Sequence, residues 1–218
     1  MQRFTLLHDG SKQGWQAAYL AFHVSAQLGA PLLVLLAGPT TDSKTLVQRA
    51  TQIEVGARAA GVAVGTRFVP NFSVDVATKN ASGSDGLFIP SRLIPDWETA
   101  LRYSEAFSHP LWIVSKESET HKMAVLVDDL SADKTLVNYT ITLSNRLQQS
   151  LTGLVRDTKS GSFLAANTPI DWIPLTDFTY TEITDAIQQL EADLLFVPAS
   201  RVSLINELTL NCVVYPVV

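Results

Sequence analysis

The segment Asp85-Gly-Leu-Phe-Ile-Pro-Ser-Arg-Leu93 returns in the second half of the chain as Asp193-Leu-Leu-Phe-Val-Pro-Ala-Ser-Arg201. An internal repeat of this length predicts two related structural units in tandem. A second pair of segments supports this, because Phe4-Thr-Leu-Leu-His-Asp-Gly-Ser11 is matched by Val125-Leu-Val-Asp-Asp-Leu-Ser131, and each ends in Asp-x-Ser. This alignment places Asp129 opposite Asp9 and Ser131 opposite Ser11.

Apolar runs alternate with segments of helical periodicity in both halves. The helix near residues 12–28, for example, carries Trp15, Tyr19 and Phe22 on one face and ends at Gly29. We predict strands at residues 3–8, 32–37, 62–69, 86–89 and 110–115, and again at 123–127, 151–155, 170–175, 193–197 and 212–217. Strands that alternate with helices indicate an α/β fold with parallel sheets covered on both faces.

The polar stretch around residues 116–122 lacks apolar periodicity and predicts a linker. We therefore place the first domain at residues 1–116, the linker at 117–122 and the second domain at 123–218. The second domain is expected to be reduced, because residues 157–169 are rich in Gly, Ser, Thr and Asn where the first half has a long helix. Thr179 and Glu182 have capping-box spacing ahead of the next helix.

Composition excludes several classes of protein. The 218 residues are 46% hydrophobic, which supports a substantial core. The net charge of −5 falls entirely on residues 121–218, and no basic stripe is available to bind nucleic acid. Cys212 is the one cysteine, so no internal disulfide can form. The apolar stretch at 30–38 is too short to span a membrane. We expect a soluble cytoplasmic protein without nucleic-acid or membrane partners.

Four short motifs, in this order and spacing, resemble the universal stress protein family: Asp9-Gly10-Ser11, Leu28-Gly29-Ala30, Ala60-Gly61-Val62 and Ser108-His109-Pro110. The resemblance covers nearly the whole first half and, more loosely, the second, so the chain resembles a tandem member. It implies a Rossmann-like, HUP-type unit with a five-stranded parallel sheet in each half, pairing through the last strands. It also implies a role in the stress response and, in many members, ATP bound at the carboxyl ends of the strands.

The glycine pattern of the nucleotide-binding members is broken in both halves. That pattern, G-x2-G-x9-G followed by Ser or Thr, follows the fourth strand and cradles phosphates. Here its first glycine is replaced by Pro90, and Trp97 and Glu98 stand where the last glycine and hydroxyl belong. The second half runs from Pro198 to Arg201 without a glycine. We expect Trp97 to block a close backbone approach and Glu98 to repel a phosphate.

The remaining ligand-binding candidates lie at the predicted strand ends. They are Asp9, Gly10, Ser11, Ser91 and Arg92 in the first half, and Asp129 and Ser131 in the second. A carboxylate after the first strand can recognise adenine or ribose, but it can also cap a helix or form a turn. Arg92 and Arg201 can each hold an anion at a helix start or pair with a nearby carboxylate.

A different class is suggested by Asp128-Asp129, which is similar to the paired Mg²⁺-binding acids of a receiver domain. That chemistry also needs an acceptor Asp, a hydroxyl and a Lys, for which Asp177 and Ser200 are poor candidates and no lysine follows the last strand. The four histidines have no metal-ligand spacing. No nucleophile elbow, P-loop or Cys-x-x-Cys motif occurs. We therefore expect neither catalysis nor a bound metal.

The sequence thus favours a non-enzymatic tandem protein that acts by binding protein partners or a small ligand, without a cofactor. The alternative is a switch that binds ATP or another adenine nucleotide through the first-half candidates. We expect the two halves to form an intramolecular pseudo-dimer, which leaves further homodimerisation open. Its interface would pair the final strands edge to edge and bury Leu111, Ile113, Val213 and Val217.

Overall fold

A computed structural model describes residues 3–37, 43–117, 122–129, 132–156, 170–207 and 210–216. The elements of the first half are β1 (Phe4–His8), α1 (Lys12–Leu28), β2 (Leu32–Ala37), α2 (Ser43–Ala59), β3 (Val64–Val69), α3 (Val74–Ala81), β4 (Gly86–Pro90), a 3₁₀ turn (Ser91–Leu93), α4 (Trp97–Phe107) and β5 (Leu111–Val114). Those of the second half are β6 (Lys122–Val127), α5 (Lys134–Leu147), β7 (Ser150–Arg156), β8 (Asp171–Leu175), α6 (Tyr180–Leu190), β9 (Leu194–Pro198), a second 3₁₀ helix (Ala199–Glu207) and β10 (Asn211–Tyr215).

The strands form one continuous sheet in the order β3-β2-β1-β4-β5-β10-β9-β6-β7-β8. Within each half the strands are parallel, and the two halves meet where β5 and β10 pair antiparallel. This confirms the predicted α/β class and the parallel sheet of each half. The expected five-stranded sheets are the two halves of a ten-stranded sheet, because their last strands share hydrogen bonds.

Helices cover both faces of the sheet. Side chains of α1, α2 and α5 pack with one face, and those of α3, α4, α6 and the second 3₁₀ helix pack with the other. Strands β1, β4 and β9 are buried along their whole length, since they lie between two helical layers. This burial explains the continuous apolar runs in the sequence.

The junction between the halves is centred on Trp112. The pairing of β5 with β10 sets Trp112 opposite Val213, Ile113 opposite Cys212 and Leu111 opposite Val214. The indole lies 4.8 Å from the ring of Phe88 and 6.0 Å from that of Phe196, centroid to centroid. The two phenylalanines of the internal repeat therefore pack on one tryptophan across the junction.

The interface residues proposed from the sequence lie in this pair of strands. Leu111, Ile113 and Val213 are buried there, while Val217 lies outside the described residues. Asn211 adds a polar contact, because its side-chain oxygen accepts the backbone N–H of Ser115 at 2.9 Å and of Lys116 at 3.1 Å. This amide ties the chain after β5 to the start of β10.

Strand register identifies the matching positions of the two halves. Phe4 pairs with Gly86 in the first half, and Met123 pairs with Leu194 in the second. Counting forward from Phe4 and Met123, Asp9 corresponds to Asp128. The alignment of Asp9 with Asp129 is therefore wrong by one residue, because β6 begins earlier than the sequence pattern indicates.

Three further expectations change in detail. The sequence pattern predicts a brief helix near residues 202–209, and the structure has the second 3₁₀ helix, Ala199–Glu207, with a non-helical conformation at Arg201. The predicted linker extends to residue 122, but Lys122 begins β6. Residues 157–169, which suggested a lost helix, lie outside the described part of the chain.

Candidate functional site

The first-half site lies at the carboxyl end of β1, where Asp9 turns the chain into α1. Its Oδ1 accepts hydrogen bonds from the backbone N–H of Ser11 at 3.0 Å and from the Ser11 hydroxyl at 2.6 Å. The Ser11 Oγ in turn accepts the N–H of Gly14 at 2.9 Å and caps the helix. One carboxylate oxygen of Asp9 therefore serves the turn itself.

The glycines of this turn make room for side chains of the protein. Gly10 has φ +80°, and a Cβ there would overlap the guanidinium of Arg49, which crosses the turn from α2. Arg49 also donates to the carbonyl of Asp9 at 3.4 Å. A Cβ at Gly14 would stand 2.5 Å from Oδ1 of Asp9. Both glycines thus allow close packing around Asp9.

Arg92 occupies the other carboxylate oxygen of Asp9. It comes from the 3₁₀ turn after β4, and its Nε lies 3.1 Å from Oδ2. The Asp9 side chain is 11% exposed and that of Arg92 is 56% exposed. Sequence reasoning left the role of Arg92 open between an anion site and a local ion pair; here it forms the ion pair. Ser91 lies in the same turn and is partly buried.

The segment from Ser91 to Glu98 is short, and it carries carboxylates at the start of α4. Asp96 caps this helix, since its Oδ1 accepts the N–H of Thr99 at 2.7 Å. Hydrogen bonds from Thr99 lower the pKa of Asp96, so the cap is an anion at neutral pH. Glu98 lies in the first helical turn. The positive end of the α4 dipole therefore already faces two carboxylates of the protein.

Trp97 is the first residue of α4. It is 39% exposed and lines a groove between α4 and the second 3₁₀ helix. The expectation that Trp97 blocks a close backbone approach stays a prediction, since the groove shows only that the side chain lies beside the second 3₁₀ helix.

His8 lies beside the first-half site in the core. Its Nδ1 accepts the N–H of Gly10 at 3.3 Å, and its ring stands edge-on to Trp15 with centroids 4.6 Å apart. Burial lowers the pKa of His8 to about 4, so the imidazole is neutral near pH 7. Because the His8 ring is neutral, the turn at Gly10 packs against the end of β1 without a buried positive charge.

In the second half, Asp128 is held by two arginines. Its Oδ1 lies 2.9 Å from Nη2 of Arg156, at the end of β7, and its Oδ2 is bound by Nε and Nη2 of Arg201. Both guanidinium groups lie over the ring of Phe178, at 4.9 Å and 5.1 Å from its centroid. The carboxylate that matches Asp9 thus contacts two arginines instead of one, although its side chain is 24% exposed and that of Asp9 is 11% exposed.

The candidates named in the second half lie beside this cluster. Asp129 is exposed, and Ser131 lies outside the described residues. Asp133 accepts the backbone N–H groups of Asp128 and Asp129 through one oxygen, at 3.0 Å and 3.3 Å. Burial raises the pKa of Asp133. Ser11 caps α1 in the first half, whereas Asp133 makes no side-chain cap on α5 and binds the backbone of the turn before it.

Sequence reasoning missed Arg49, Arg156, Phe178 and the role of Asp128. A signal existed for Arg156, since a charged residue directly after an apolar strand lies where ligands bind in open α/β sheets. Arg49 had none, because it is forty residues from Asp9 and only the packing of α2 brings it to the turn. Phe178 follows β8 in a loop, and its contact with two arginines depends on tertiary structure.

Metal ligands and thiols add no second site within the described ranges. No group of three or more His, Cys, Asp or Glu residues there is arranged to hold a metal ion. Cys212 is buried in β10, and burial raises the pKa of its thiol to about 12. Of the helices described, none is long and apolar enough to cross a bilayer.

Solved structures share this architecture over the whole chain. A universal stress protein from Archaeoglobus fulgidus DSM 4304 superposes with a TM-score of 0.72 and 13% sequence identity, covering 98% of this chain and 96% of that one. The chain has the tandem universal stress protein fold. A functionally unknown protein from Pseudomonas aeruginosa PAO1 shares the fold at a TM-score of 0.73 and 12% identity, over 99% of this chain and 92% of that one.

The likeness is one of fold. No family model matches the sequence, and a search of the curated proteins finds no match. At 12–13% identity, a ligand site cannot be carried over from the universal stress proteins by position alone. The function of this chain must therefore be argued from its own strand-end residues.

Proposed function

We propose that this chain is a universal-stress-type binding or regulatory protein of the cytoplasm that acts in the stress response through protein or small-ligand contacts. In this proposal it is not an enzyme and does not carry the ATP site of its nucleotide-binding relatives. The observation that supports it most is the pairing of each strand-end carboxylate with an arginine from the loop after the fourth strand of its half. Arg92 pairs with Asp9, and Arg201 pairs with Asp128.

The carboxylate–arginine pairing disfavours an adenine nucleotide for an electrostatic reason. A carboxylate can accept a hydrogen bond from a ribose or adenine group only if its lone pairs are available. Oδ1 of Asp9 accepts two hydrogen bonds from Ser11, and its buried Oδ2, which accepts no hydrogen bond within the described structure, is ion-paired with Arg92 at 3.1 Å. Asp128 is ion-paired with two arginines, so a ligand hydroxyl would compete with a guanidinium group in each half. If a ribose hydroxyl of a ligand displaced an arginine from one of these carboxylates, a charge-assisted contact would be exchanged for a weaker neutral hydrogen bond, and the exchange would weaken binding.

The start of α4, where the phosphates of a nucleotide would lie, also disfavours ATP. The chain has no glycine between Pro90 and Thr99, and Asp96 and Glu98 stand at the helix start. A triphosphate placed there would meet two negative side chains. Coulomb repulsion and the filled helix cap both oppose it.

Native purification followed by mass spectrometry of released small molecules tests the proposal. We expect no adenine nucleotide in the released fraction, together with specific protein partners in a pull-down that uses the intact chain. A stoichiometric co-purified nucleotide would overturn the proposal. Arg102→Ala serves as a matched control for the arginine variants below, since Arg102 is exposed on α4 and contacts Thr99 rather than a strand-end carboxylate.

A second candidate function is the adenine-nucleotide switch built on Asp9, Gly10, Ser11, Ser91 and Arg92. One observation favours it: Arg92 holds Asp9 through Nε, and its side chain is 56% exposed, so it can turn away and meet a phosphate. Titration with ATP, ADP and AMP distinguishes the two functions. The switch predicts micromolar binding that Asp9→Ala abolishes, whereas the proposed function predicts that Asp9→Ala changes stability alone.

A further inference from the structure

A groove of about 760 Å³ opens between α4 and the second 3₁₀ helix, on the face of the sheet opposite α1 and α5. The groove lies where the helices that follow the fourth strand of each half differ in type. α4 is a regular α-helix of 11 residues, whereas the element that follows β9 is a 3₁₀ helix with a kink at Arg201. The thinner, kinked element leaves space beside α4 that a second α-helix would fill.

One stripe of α4 forms a wall of the groove. Trp97, Leu101, Ser104, Glu105 and Ser108 follow the spacing of a single helical face. Ala199 and Val202 supply apolar surface from the opposite side. Trp97 keeps 39% of its surface exposed here, although an indole gains free energy when it is covered. The groove thus presents an uncovered aromatic face within a mainly apolar trough.

The polar groups of the groove select for positive charge. Among the described residues that line it, Glu105 carries a negative charge and none carries a positive one. The remaining polar groups are serine hydroxyls, such as those of Ser108 and Ser203. The Glu105 carboxylate attracts a cation and disfavours an anion, while the exposed indole of Trp97 offers an apolar surface for a ring.

We propose that this groove binds a small organic cation, with an apolar ring against Trp97 and an ammonium group near Glu105. The volume lies within the range of about 300–1,000 Å³ typical of ligand sites. Trp97 and Glu105 are eight residues apart, which is about 12 Å along the helix. The ligand is therefore an elongated aryl-alkyl amine, and its site is separate from the strand ends around Asp9 and Asp128.

A matched series of probes tests the charge selection in the intact chain. 6-Phenylhexylamine, 6-phenylhexanol and 6-phenylhexanoate share one body, long enough to reach from Trp97 to Glu105, and carry a positive, neutral and negative end. Titration calorimetry is expected to give the amine a Kd below about 1 mM. The alcohol should bind about tenfold more weakly than the amine, and the acid should bind more weakly still. Equal binding of all three probes, or no binding of the amine, would overturn the proposal.

Two variants distinguish binding in this groove from nonspecific binding of the probes elsewhere on the protein. Glu105→Gln should weaken the amine to the level of the alcohol and leave the alcohol unchanged, while Trp97→Ala should weaken both by about tenfold. Glu98→Gln is the control, since Glu98 is an exposed α4 carboxylate outside the groove lining, and it should bind the amine as the unmodified chain does. If Glu98→Gln weakens the amine as much as Glu105→Gln, net charge rather than the groove explains the selection. ATP titration does not enter this test, so its outcome is independent of the proposed function.

Discussion

The two halves of this molecule follow one backbone plan and fill matching positions differently. Asp9 is engaged by its own turn and by one arginine, whereas Asp128 is bound by two arginines stacked on Phe178. Each half therefore closes its strand-end carboxylate, but with neighbours from different elements. The feature that the two halves share is therefore the carboxylate–arginine pair itself, whereas the residues around the pair differ between the halves.

The largest expected effect comes from breaking the junction that joins the halves. Ile113 is 3% exposed in β5, directly opposite Cys212 of β10. Ile113→Lys would bury an unpaired charge there and should lower the free energy of unfolding by about 3–5 kcal/mol. Denaturant unfolding measures this change.

The matched control is Phe68→Lys on edge strand β3, where the native side chain is 52% exposed. We expect it to change stability by less than about 0.5 kcal/mol. Equal effects of Ile113→Lys and Phe68→Lys would contradict the central role of the β5–β10 junction.

A smaller loss of stability is expected at a strand pair where the two halves carry side chains of different size. Val34 and Thr66 pair in the first half, and Gly153 and Trp172 pair at the matching place in the second. A Cβ at Gly153 would overlap the Trp172 ring. Gly153→Val should therefore cost about 1–3 kcal/mol.

Adding Trp172→Thr to that variant recreates the first-half pair and should recover most of the loss. A double-mutant cycle measures the coupling between the two sites. If the two substitutions are additive, Trp172 does not explain why a glycine stands at position 153.

The pH dependence of stability should differ between the halves at His8, because its counterpart in the second half is Val127, which does not titrate. Burial lowers the pKa of His8 from 6.5 to about 4. Because the folded-state pKa lies below the unfolded one, stability is retained above pH 6.5 and lost as the pH falls toward 4. Between pH 7 and pH 5 this single group should remove about 1–2 kcal/mol.

His8→Val places the second-half residue in the first half and should flatten that part of the stability profile. Thermal melts at several pH values measure the slope. The exposed His109 offers a control, since His109→Val should leave the slope unchanged. A slope that survives in His8→Val would assign the acid sensitivity to other groups.

The smallest expected effects concern the arginines. Arg92→Ala should change stability by less than about 0.5 kcal/mol, since the Arg92 side chain is 56% exposed and exposed ion pairs contribute little. Arg201→Ala should cost about 1 kcal/mol, because that side chain is 30% exposed and binds a carboxylate that is 24% exposed. Chemical denaturation of both variants beside Arg102→Ala gives the order, and a larger loss in Arg92→Ala would reverse the contrast between the halves.

Much of the fold could be predicted from the sequence, because it depends on local signals. Ser11 and Gly29 bound α1 at the predicted residues, and the repeated Phe88 and Phe196 mark equivalent strands. The pairing of the last strands followed from the family resemblance. These features need only periodicity, caps and a repeat.

The site was less predictable, because its contacts join residues that are distant in sequence. The placement of Asp128 requires the register of β6 against β9, which no local pattern gives. Arg49 reaches the Asp9 turn only through the packing of α2. Trp97 lines a groove with the second 3₁₀ helix of the other half, and the sequence pattern predicted only a brief helix there, near residues 202–209.

The most direct test of the closed strand ends is isothermal titration of ATP into the unmodified chain, with and without Mg²⁺. If Arg92 and Arg201 close Asp9 and Asp128 as proposed, we expect no binding with a Kd below about 1 mM. A micromolar Kd that is lost in Asp9→Ala would contradict the proposal and establish a nucleotide site at the end of β1.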